Sequence, residues 1–440
     1  MNMNLKIQIP QNVKFIFEKL EQRCYEVYLV GGCVRDSLLG KPIKDYDIIT
    51  NATISQIKEI FKEYRFAKRE FEHYGTATLI LNGKCFDISS YEEGLFTADM
   101  LDRDFTINSI AYHPDRGYMM VSGYPMSDLE NKIIRMNSPR CFKKNPVRIL
   151  RALRFASVYG FKIEEKTAEE IHSCLPELFP KICKENRTRE LLSILDGKNI
   201  LEVMLEFKDV FSYLIPELKV CIDFKQNNPY HKHDVYEHIA HVVASTIPNA
   251  EARFAALCHD IGKPLSYFEE ITPQKERRGH FYGHPVVSKN LCELYIFDRF
   301  CFSKEFKKNV SLLIENHGVE IPTTKRTLNK LYEKFDCSLE LFQKFLSLRN
   351  ADRLDHIYPE GTKLESLEEC YKMLIKSIEN SPFNLRSLEI NGKDLLSLGF
   401  PQSKKIGEIL NAVYSLVKDE LLENKKEILL EYVKKEYGGA

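Results

Sequence analysis

The stretch from Val27 to Asp47 constrains the fold of this chain more than any other. Its first residues, Val27–Val30, form a short apolar run that predicts a buried strand. Gly31 and Gly32 end the run, and two glycines let the backbone approach a ligand closely with amide groups directed outward. The residues that follow predict a short helix. An anion at the glycines would lie at the start of this helix, with Arg35 available to phosphate oxygens.

Two carboxylates close this stretch. Asp45 and Asp47 fall two residues apart on a predicted second strand, so their side chains are expected on the same face. Like charges at this spacing favour a cation between them, and Mg²⁺ accepts carboxylates and substrate phosphates together. An Asp-x-Asp pair alone is usually a solvated strand or turn. Placed after strand, Gly-Gly and helix, the pair predicts a magnesium–triphosphate site.

A third carboxylate lies on a predicted hairpin. Two strands, Thr76–Leu81 and Lys84–Ser89, flank Asn82 and Gly83, which is the strongest two-residue signal for a hairpin turn. Asp87 falls on the second of these strands. It is a candidate metal ligand or general base, and a solvated strand aspartate is the alternative.

The order G-G-x-V-R-D followed by D-x-D resembles the nucleotidyltransferase head of the CCA-adding enzyme and poly(A) polymerase family. Residues 101–109, L-D-R-D-F-T-I-N-S, are similar to the family's R-R-D-F-T-I-N-A segment. The resemblance implies that Arg103 and Asp104 contact the ribose and select ribonucleotides. Asn108 adds a further polar side chain to the same segment. The family's first arginine is replaced by Asp102, and a surface ion pair at a helix edge is the alternative reading.

Residues 140–154 form the most basic stretch of the chain, with no acidic residue among them. Asn145 followed by a proline predicts a helix start. Arg148, Arg151 and Arg154 then share one face of that helix, opposite an apolar face. A basic helix face can be merely solvated, but its place after a triphosphate site favours contact with a nucleotide or an RNA backbone.

This stretch is similar to the family's neck motif, E-D-x-x-R followed by an arginine-rich helix. In the family, the resemblance implies, the Asp and Arg of the motif read the incoming base as C or A. Arg148 matches the motif, whereas Lys144 and Asn145 replace its two acidic residues. An Asn side chain has donors and an acceptor, so Asn145 can still accept from an exocyclic amine, or it can act as a helix cap only.

Histidines concentrate between residues 231 and 284, and His317 and Asp352 lie further on. His259 and Asp260 are adjacent in the motif L-C-H-D-I-G-K-P. Histidine is the commonest metal ligand in proteins, and aspartate completes such sites. The motif resembles the site of HD-domain phosphohydrolases.

That resemblance implies a second divalent, transition-metal site with the H…HD…D ligand set His238, His259, Asp260 and Asp352. His280 and His284 would be further ligands or phosphate contacts. Hydrolysis is the less certain part of this expectation, since such a domain can be kept as a helical scaffold.

Composition limits the number of domains, the compartment and the partners that can be expected. The chain has 440 residues, 44% of them hydrophobic, which allows several domains with real cores. Its twelve cysteines include no C-x-x-C pair, and no signal peptide or long apolar span is evident. We therefore expect a reduced, cytoplasmic protein with no membrane partner. A net charge of zero permits a nucleic-acid partner only through local patches.

The expected fold is α+β, with a small antiparallel-sheet nucleotidyltransferase head followed by all-α domains. The expected boundaries are 1–137 for the head, 138–200 for a helical neck with the base-recognition segment, 201–370 for a helical body with the HD-type metal site, and 371–440 for an RNA-binding tail. The tail expectation rests on residues 384–437, which resemble the C-terminal segment of bacterial CCA-adding enzymes.

The expected reaction is the addition of CMP, CMP and AMP from CTP and ATP to the 3′ end of tRNA. Two Mg²⁺ ions on Asp45 and Asp47 would assist it, and DNA is not an expected partner. Three alternatives stay open. The chain could be a poly(A) polymerase or an enzyme that adds only part of the CCA end. It could be an HD-type phosphohydrolase with an RNA-binding head, or a non-catalytic RNA-binding protein.

Overall fold

The structure is a computed structural model that describes residues 6–67, 75–91, 95–273, 277–320, 324–357, 367–380, 388–418 and 421–438. The chain forms two compact units. The first contains residues 1–219 and 299–301, and the second contains residues 220–298 and 302–440. Among the described residues, no helix combines the length and apolar character needed to cross a bilayer.

The first unit begins with a mixed α and β region and continues with helices. Its strands are β1 Val27–Val30, β2 Asp47–Thr50, β3 Arg65–Phe66, β4 Thr76–Leu81, β5 Lys84–Ser90, β6 Ile110–His113, β7 Gly117–Met120, β8 Ile133–Ile134 and β9 Lys162–Ile163. Its helices are α1 Gln11–Glu21, α2 Gly32–Leu38, α3 Ile54–Ile60, α4 Phe96–Asp102, α5 Tyr124–Glu130, α6 Cys141–Lys144, α7 Arg148–Tyr159, α8 Glu165–Leu178, α9 Lys184–Leu195, α10 Ile200–Glu206 and α11 Lys208–Leu214.

Within its described residues, the second unit consists of helices, loops and one hairpin, β10 Phe268–Ile271 and β11 Arg277–His280. Its helices are α12 Val235–Ser245, α13 Ala250–Cys258, α14 Lys263–Ser266, α15 His284–Leu291, α16 Lys304–Asn316, α17 Lys325–Lys334, α18 Leu339–Leu354, α19 Leu367–Asn380, α20 Gly392–Ser397, α21 Lys404–Lys418 and α22 Lys426–Tyr437. A π-helical turn, Cys292–Ile296, follows α15.

Seven strands of the first unit form one sheet in the order β3-β4-β5-β2-β1-β6-β7. The interior strand β1 is buried along its whole length, as its apolar sequence predicts. The α+β class with a sheet in the head and helices after it is confirmed. The pairing of β2 with β5 is parallel, whereas its neighbours in the sheet pair antiparallel, so the sheet is not purely antiparallel.

Two local predictions can be compared with this sheet. The hairpin around Asn82 and Gly83 is confirmed, and both residues have positive φ angles of 51° and 74°, which a tight turn between twisted strands requires. The second strand, in contrast, begins only at Asp47. Asp45 therefore lies in the preceding loop, and the prediction that one strand carries both carboxylates is wrong.

Helix α7 packs an apolar face into the core of the first unit. Ile149, Leu153 and Phe155 are buried, and the Phe155 ring meets the Phe105 ring edge to face at 5.8 Å. The helix begins at Arg148, three residues later than Asn145, because the Asn145 side chain accepts from the Val147 amide and so closes a turn ahead of the helix.

The second unit contains a separate apolar cluster in its last three helices. Leu395 of α20, Val413 of α21 and Leu429 of α22 are fully buried in it. Helix α20 starts with a capping box between Asn391 and Asp394. Residues 384–387 of the predicted tail segment lie outside the described part of the chain.

Candidate active sites

Strand register brings the glycine turn and the carboxylates together. Val30 at the end of β1 pairs with Asp47 at the start of β2, and Asp47 pairs with Asp87 on the parallel strand β5. Paired residues on neighbouring strands share a face, so the two carboxylates lie side by side. Gly31 follows Val30 directly, and a Cβ atom at Gly31 would lie 3.4 Å from a carboxylate oxygen of Asp47.

A cavity of about 730 Å³ opens at this edge of the sheet in the first unit. All of the head and neck residues predicted for catalysis and nucleotide binding line it. They are Gly31, Gly32, Arg35, Asp45, Asp47, Arg103, Asp104, Asn108, Asn145, Arg148, Arg151 and Arg154. Asp87 does not line the cavity itself, but stands beside Asp47 and accepts a hydrogen bond from the Thr78 hydroxyl at 2.6 Å.

The surroundings of Asp47 disfavour the charged form of its carboxylate. Desolvation by the surrounding protein raises the pKa of Asp47, and Asp87 and Asp45 raise it further, while Arg103 opposes the shift. A proton or a cation is thus favoured among the three carboxylates. Oxygen ligands of this kind suit Mg²⁺, so the residues present fit the predicted ion.

Asp104 is buried at the back of the cavity and fully engaged. Its carboxylate accepts from Arg151 Nε and an Nη at 2.8 and 2.6 Å, from Asn108 at 2.8 Å, and from the Phe105 amide. Burial alone would raise the pKa of Asp104, but Arg151, Asn108 and the Phe105 amide lower it below its usual value. Asp104 and Arg151 therefore form a fixed ion pair that joins the head to helix α7.

Arg35 is also engaged by protein groups. It is buried, and its guanidinium donates to Asn108 at 2.6 Å, to Asp36 at 2.8 and 3.0 Å, and to the Tyr159 hydroxyl at 2.8 Å. It also stacks on the Phe155 ring, 4.9 Å from its centre. These contacts tie Arg35 to its neighbour Asp36, to Asn108 and to helix α7, and its predicted phosphate contact stays a prediction.

The base-recognition residues lie at the start of α7. Two donors of Arg148 go to the backbone carbonyls of Asp102 at 2.7 Å and Cys141 at 3.3 Å, which fixes the orientation of its guanidinium. Asn145 is exposed, and its side-chain oxygen accepts from the Val147 amide at 3.2 Å. Both residues face the cavity, so the cap and the acceptor suggested for Asn145 are compatible.

The third arginine of the basic face has a different partner. Arg154 donates to the buried carboxylate of Glu190 on α9 at 2.8 Å and stacks on Phe155. Arg189 and Asn186, on the same helix, complete the wall of the cavity. Arg189 was not predicted as a site residue.

A second group of polar residues is buried in the second unit. It combines side chains from five helices or their ends: His238 on α12, His259 and Asp260 after α13, His284 at the start of α15, His317 after α16, and Asp352 on α18. All except His284 are nine-tenths or more buried. We refer to these six residues as the histidine centre.

The carboxylate of Asp260 lies between two pairs of histidines. One oxygen, Oδ2, is 3.2 Å from Nε2 of His238 and 3.2 Å from Nε2 of His259. The other oxygen, Oδ1, is 3.1 Å from Nε2 of His284 and 3.6 Å from Nε2 of His317. Asp352 adds an oxygen 3.2 Å from Nε2 of His238.

The outer nitrogens of these histidines set their tautomers. Nδ1 of His259, His284 and His317 contacts a backbone carbonyl at 2.7 to 2.8 Å. A carbonyl only accepts, so each Nδ1 must carry the hydrogen, and each neutral ring presents an Nε2 lone pair to Asp260. Nδ1 of His238 is similarly placed 2.8 Å from Asp355.

The Nε2 lone pairs of these histidines face carboxylate oxygens, so a positive charge is required between them. Burial alone would lower the pKa of His238, but Asp260, Asp352 and Asp355 raise it to about 10. Lys263 places its ammonium 2.6 Å from Asp260. Imidazole nitrogens held by outer hydrogen bonds around buried carboxylates fit a divalent transition metal.

The structure brings five of the six predicted HD residues together and leaves one out. His280 lies on the hairpin strand β11, where its ring stacks on Phe268 and its Nε2 is 3.2 Å from Glu270. The structure does not group His280 with the residues of the histidine centre, so its role as a further ligand or phosphate contact stays a prediction. His317 belongs to the centre, and Asp355, three residues after Asp352, was not predicted.

The fold and the cavity of the first unit define a nucleotidyltransferase. Residues 27–135 match the family described as Poly A polymerase head domain, and residues 296–433 match tRNA nucleotidyltransferase domain 2. Both matches are to domains of the tRNA nucleotidyltransferase and poly(A) polymerase family. Nucleotidyltransferases of this family use a divalent metal, typically Mg²⁺.

Named relatives extend this similarity over nearly the whole chain. The CCA-adding enzyme of Enterococcus faecalis is 28% identical over 96% of this chain and 95% of its own length. The CC-adding tRNA nucleotidyltransferase of Halalkalibacterium halodurans is 35% identical over 41% of this chain and 48% of its own. Among solved structures, the Bacillus stearothermophilus CCA-adding enzyme in complex with CTP has a TM-score of 0.67, with 21% identity over 97% of this chain and 98% of its own.

Proposed function

We propose that this chain adds C, C and A to the 3′ end of tRNA from CTP and ATP. The observation that carries the proposal is that one cavity is lined both by the carboxylates Asp45 and Asp47 and by Asn145 and Arg148, the residues predicted for base recognition. The full-length similarity to a CCA-adding enzyme supports the same reaction. We place the reaction in the cytoplasm, where tRNA is its substrate.

In the proposed reaction the 3′-oxygen of the tRNA forms a bond to the α-phosphorus of the nucleotide. The bond from that phosphorus to the bridging oxygen breaks, pyrophosphate leaves, and the hydroxyl proton passes to solvent. Asp45 and Asp47, with Asp87 beside them, would hold Mg²⁺. When bound, Mg²⁺ supplies charge stabilisation to the attacking and leaving oxygens. Arg103, at the glycine turn, supplies positive charge to the same edge of the cavity.

Base selection is assigned to Asn145 and Arg148. Cytosine and adenine both present an exocyclic amine next to a ring-nitrogen acceptor. The Asn145 oxygen retains a lone pair beyond the one that accepts from Val147, and Arg148 has donors beyond its two carbonyl contacts. One pair of side chains can thus serve both bases. We assign contact with the ribose to Arg103 and Asp104.

The test removes the two carboxylates. The double variant Asp45→Ala/Asp47→Ala should lose nucleotide addition by roughly a thousandfold or more, since a bound metal supplies several kcal/mol of charge stabilisation. Both side chains are exposed, so the fold should persist, as circular dichroism and thermal melting would show. Asp115→Ala, an exposed aspartate elsewhere on the head, is the matched control. Addition at the wild-type rate by the double variant would show that the cavity is not the active site.

We propose a second function, hydrolysis of a phosphate ester at the histidine centre. The observation that favours it is that the Nε2 atoms of four histidines lie within 3.6 Å of the Asp260 carboxylate. His238, His259, Asp260 and Asp352 would hold one transition-metal ion, and His284 and His317 would extend the site. A bound ion supplies Lewis acidity toward a phosphate oxygen. Water forms the new bond to phosphorus, and the alcohol leaves with a proton.

Crossed variants separate the two functions. Asp352→Asn, which keeps the size of the side chain, should lower both the transition-metal content measured by elemental analysis and the hydrolysis of p-nitrophenyl phosphate. It should leave nucleotide addition unchanged. The Asp45→Ala/Asp47→Ala variant should show the reverse. Wild-type protein that binds no transition metal at near-stoichiometric level would contradict the second function and leave the first intact.

A further inference from the structure

Three aromatic rings form a cluster at the base of the β10–β11 hairpin. Phe268 and His280 are paired residues on the two strands, and their rings stack at 5.3 Å with an interplanar angle of 23°. The Tyr282 ring lies 5.4 Å from His280, nearly parallel at 20°, and 5.5 Å from Phe268. We call these three residues the aromatic platform.

The platform faces solvent to an unusual degree. Phe268 is 45% exposed and Tyr282 is 74% exposed. Single exposed apolar side chains are normal on protein surfaces, but here the centres of three rings lie within 5.5 Å of one another and two of the rings are open to solvent. An exposed aromatic ring face is what a nucleobase stacks on, whatever its identity.

The platform is joined to the histidine centre by a short rigid link. Tyr282 precedes His284 by two residues, and Gly283 between them has a φ of 77°, which turns the chain into α15. The carbonyl of Phe281 accepts from Nδ1 of His284 at 2.8 Å. A displacement of Tyr282 is thereby coupled to the orientation of a proposed metal ligand.

Positively charged side chains lie near the residues that connect the platform to the histidine centre. The ring of Phe281 is buried, and the Lys263 ammonium lies 5.4 Å from its centre and 2.6 Å from Asp260. Arg278 lies two residues before His280 on β11, so the two residues share a face of the hairpin. A ligand with an aromatic base and an anionic group matches this order of apolar and positive surfaces.

We propose that the aromatic platform binds the base of a nucleoside monophosphate whose phosphate enters the histidine centre. The proposal rests on the second function and names its substrate class. It assigns a specificity role to Tyr282 and Phe268, which contact the base, and none to the hairpin tip. His280 supports the two exposed rings from below.

The first experiment compares two phosphate esters, AMP and ribose 5-phosphate, of which only AMP carries a base. With the metal-loaded, full-length protein, Tyr282→Ala should raise the KM for AMP about tenfold and leave the KM for ribose 5-phosphate unchanged, because base–aromatic stacking contributes on this order. Tyr282→Phe should retain the wild-type KM for AMP. Leu265→Ala, a similarly exposed apolar residue off the platform, is the control. Equal KM values for both esters, unaffected by Tyr282→Ala, would overturn the proposal.

A second readout does not depend on turnover. Photolysis of 8-azido-AMP with the protein should label the tryptic peptide of residues 279–289, which contains Tyr282, and Tyr282→Ala should lose that label. Excess AMP should protect the peptide, and excess ribose 5-phosphate should not. Labelling without hydrolysis would retain the platform and remove the second function. Hydrolysis with no labelling of this peptide would retain the function and remove the platform.

Discussion

Two residues that depart from the family's motifs contact each other. Asp102 stands where the family has arginine, Lys144 stands where it has glutamate, and the Lys144 ammonium donates to the Asp102 carboxylate. Relative to the family's motifs, the positive and the negative charge have therefore exchanged positions between the head segment and the neck segment. In this chain the two side chains attract each other. Asp102 also offers its backbone carbonyl to Arg148 at 2.7 Å, so this pair lies next to the base-recognition arginine.

This exchange predicts the outcome of a double-mutant cycle. Lys144→Glu alone places two carboxylates together and should lower kcat/KM for nucleotide addition about fivefold. Both side chains are half exposed, so the effect should not greatly exceed ~1 kcal/mol. The double variant Asp102→Arg/Lys144→Glu should return to within about twofold of wild type. Steady-state addition of CTP to a tRNA lacking its last three nucleotides measures both. A double variant worse than either single change would show that the pair does not act through charge.

The sequence alone predicts which residues line the cavity better than it predicts which side chains they contact. The twelve predicted residues line one cavity because motif order fixes where strand β1 ends and helix α7 begins. The ion pair between Asp104 and Arg151 spans 47 positions in the chain, and the contact of Arg35 with Tyr159 spans 124. No local pattern carries such contacts, since they arise only when α7 packs on the head.

At the scale of elements, the junction between β1 and α2 is the part with the least freedom. Gly31 has φ and ψ of 72° and −133°, a region closed to residues with a Cβ atom. A methyl group there would also lie 3.4 Å from both Asp47 and Arg103. The glycine thus sets both the backbone path and the width of the cavity beside the carboxylates.

Gly31→Ala should therefore cost activity as well as stability. We expect a loss of about 1–3 kcal/mol in unfolding free energy from backbone strain. We also expect about a hundredfold loss in addition rate, because the carboxylates would be displaced. Gly40→Ala is the matched control, since Gly40 also has a positive φ, 66°, but a Cβ atom there would meet nothing within 4 Å. Urea unfolding and addition assays would separate the effects. Equal loss of activity in both variants would contradict a specific role for Gly31.

The secondary-structure elements also explain which features the sequence did not predict. The β4–β5 hairpin has an Asn-Gly turn and was predicted, whereas the β10–β11 hairpin joins exposed, charged strands without alternating apolar residues. Its existence was not predicted, so His280 was placed with the metal ligands by its closeness to His284 in the sequence. In the structure, strand β11 places its ring in the aromatic platform.

At the scale of the whole molecule, each compact unit contains one candidate centre. Carboxylates and arginines line a cavity in the first unit, and histidines and aspartates are buried in the second. Motifs predicted the chemical type of each centre, because they contain the residue types that can serve as ligands. The order of histidines around Asp260 was not predictable, since it depends on how five helices pack.

Nucleotide addition to a series of tRNA ends tests the central claim most directly. Transcripts that lack the last three, two or one nucleotides would be given CTP alone, ATP alone, or both, with Mg²⁺, and the products resolved at single-nucleotide length. The proposed function predicts that C, C and A are added in order and that addition then stops. Addition of C only or A only, growth of a long A tail, or no extension of any transcript would contradict it.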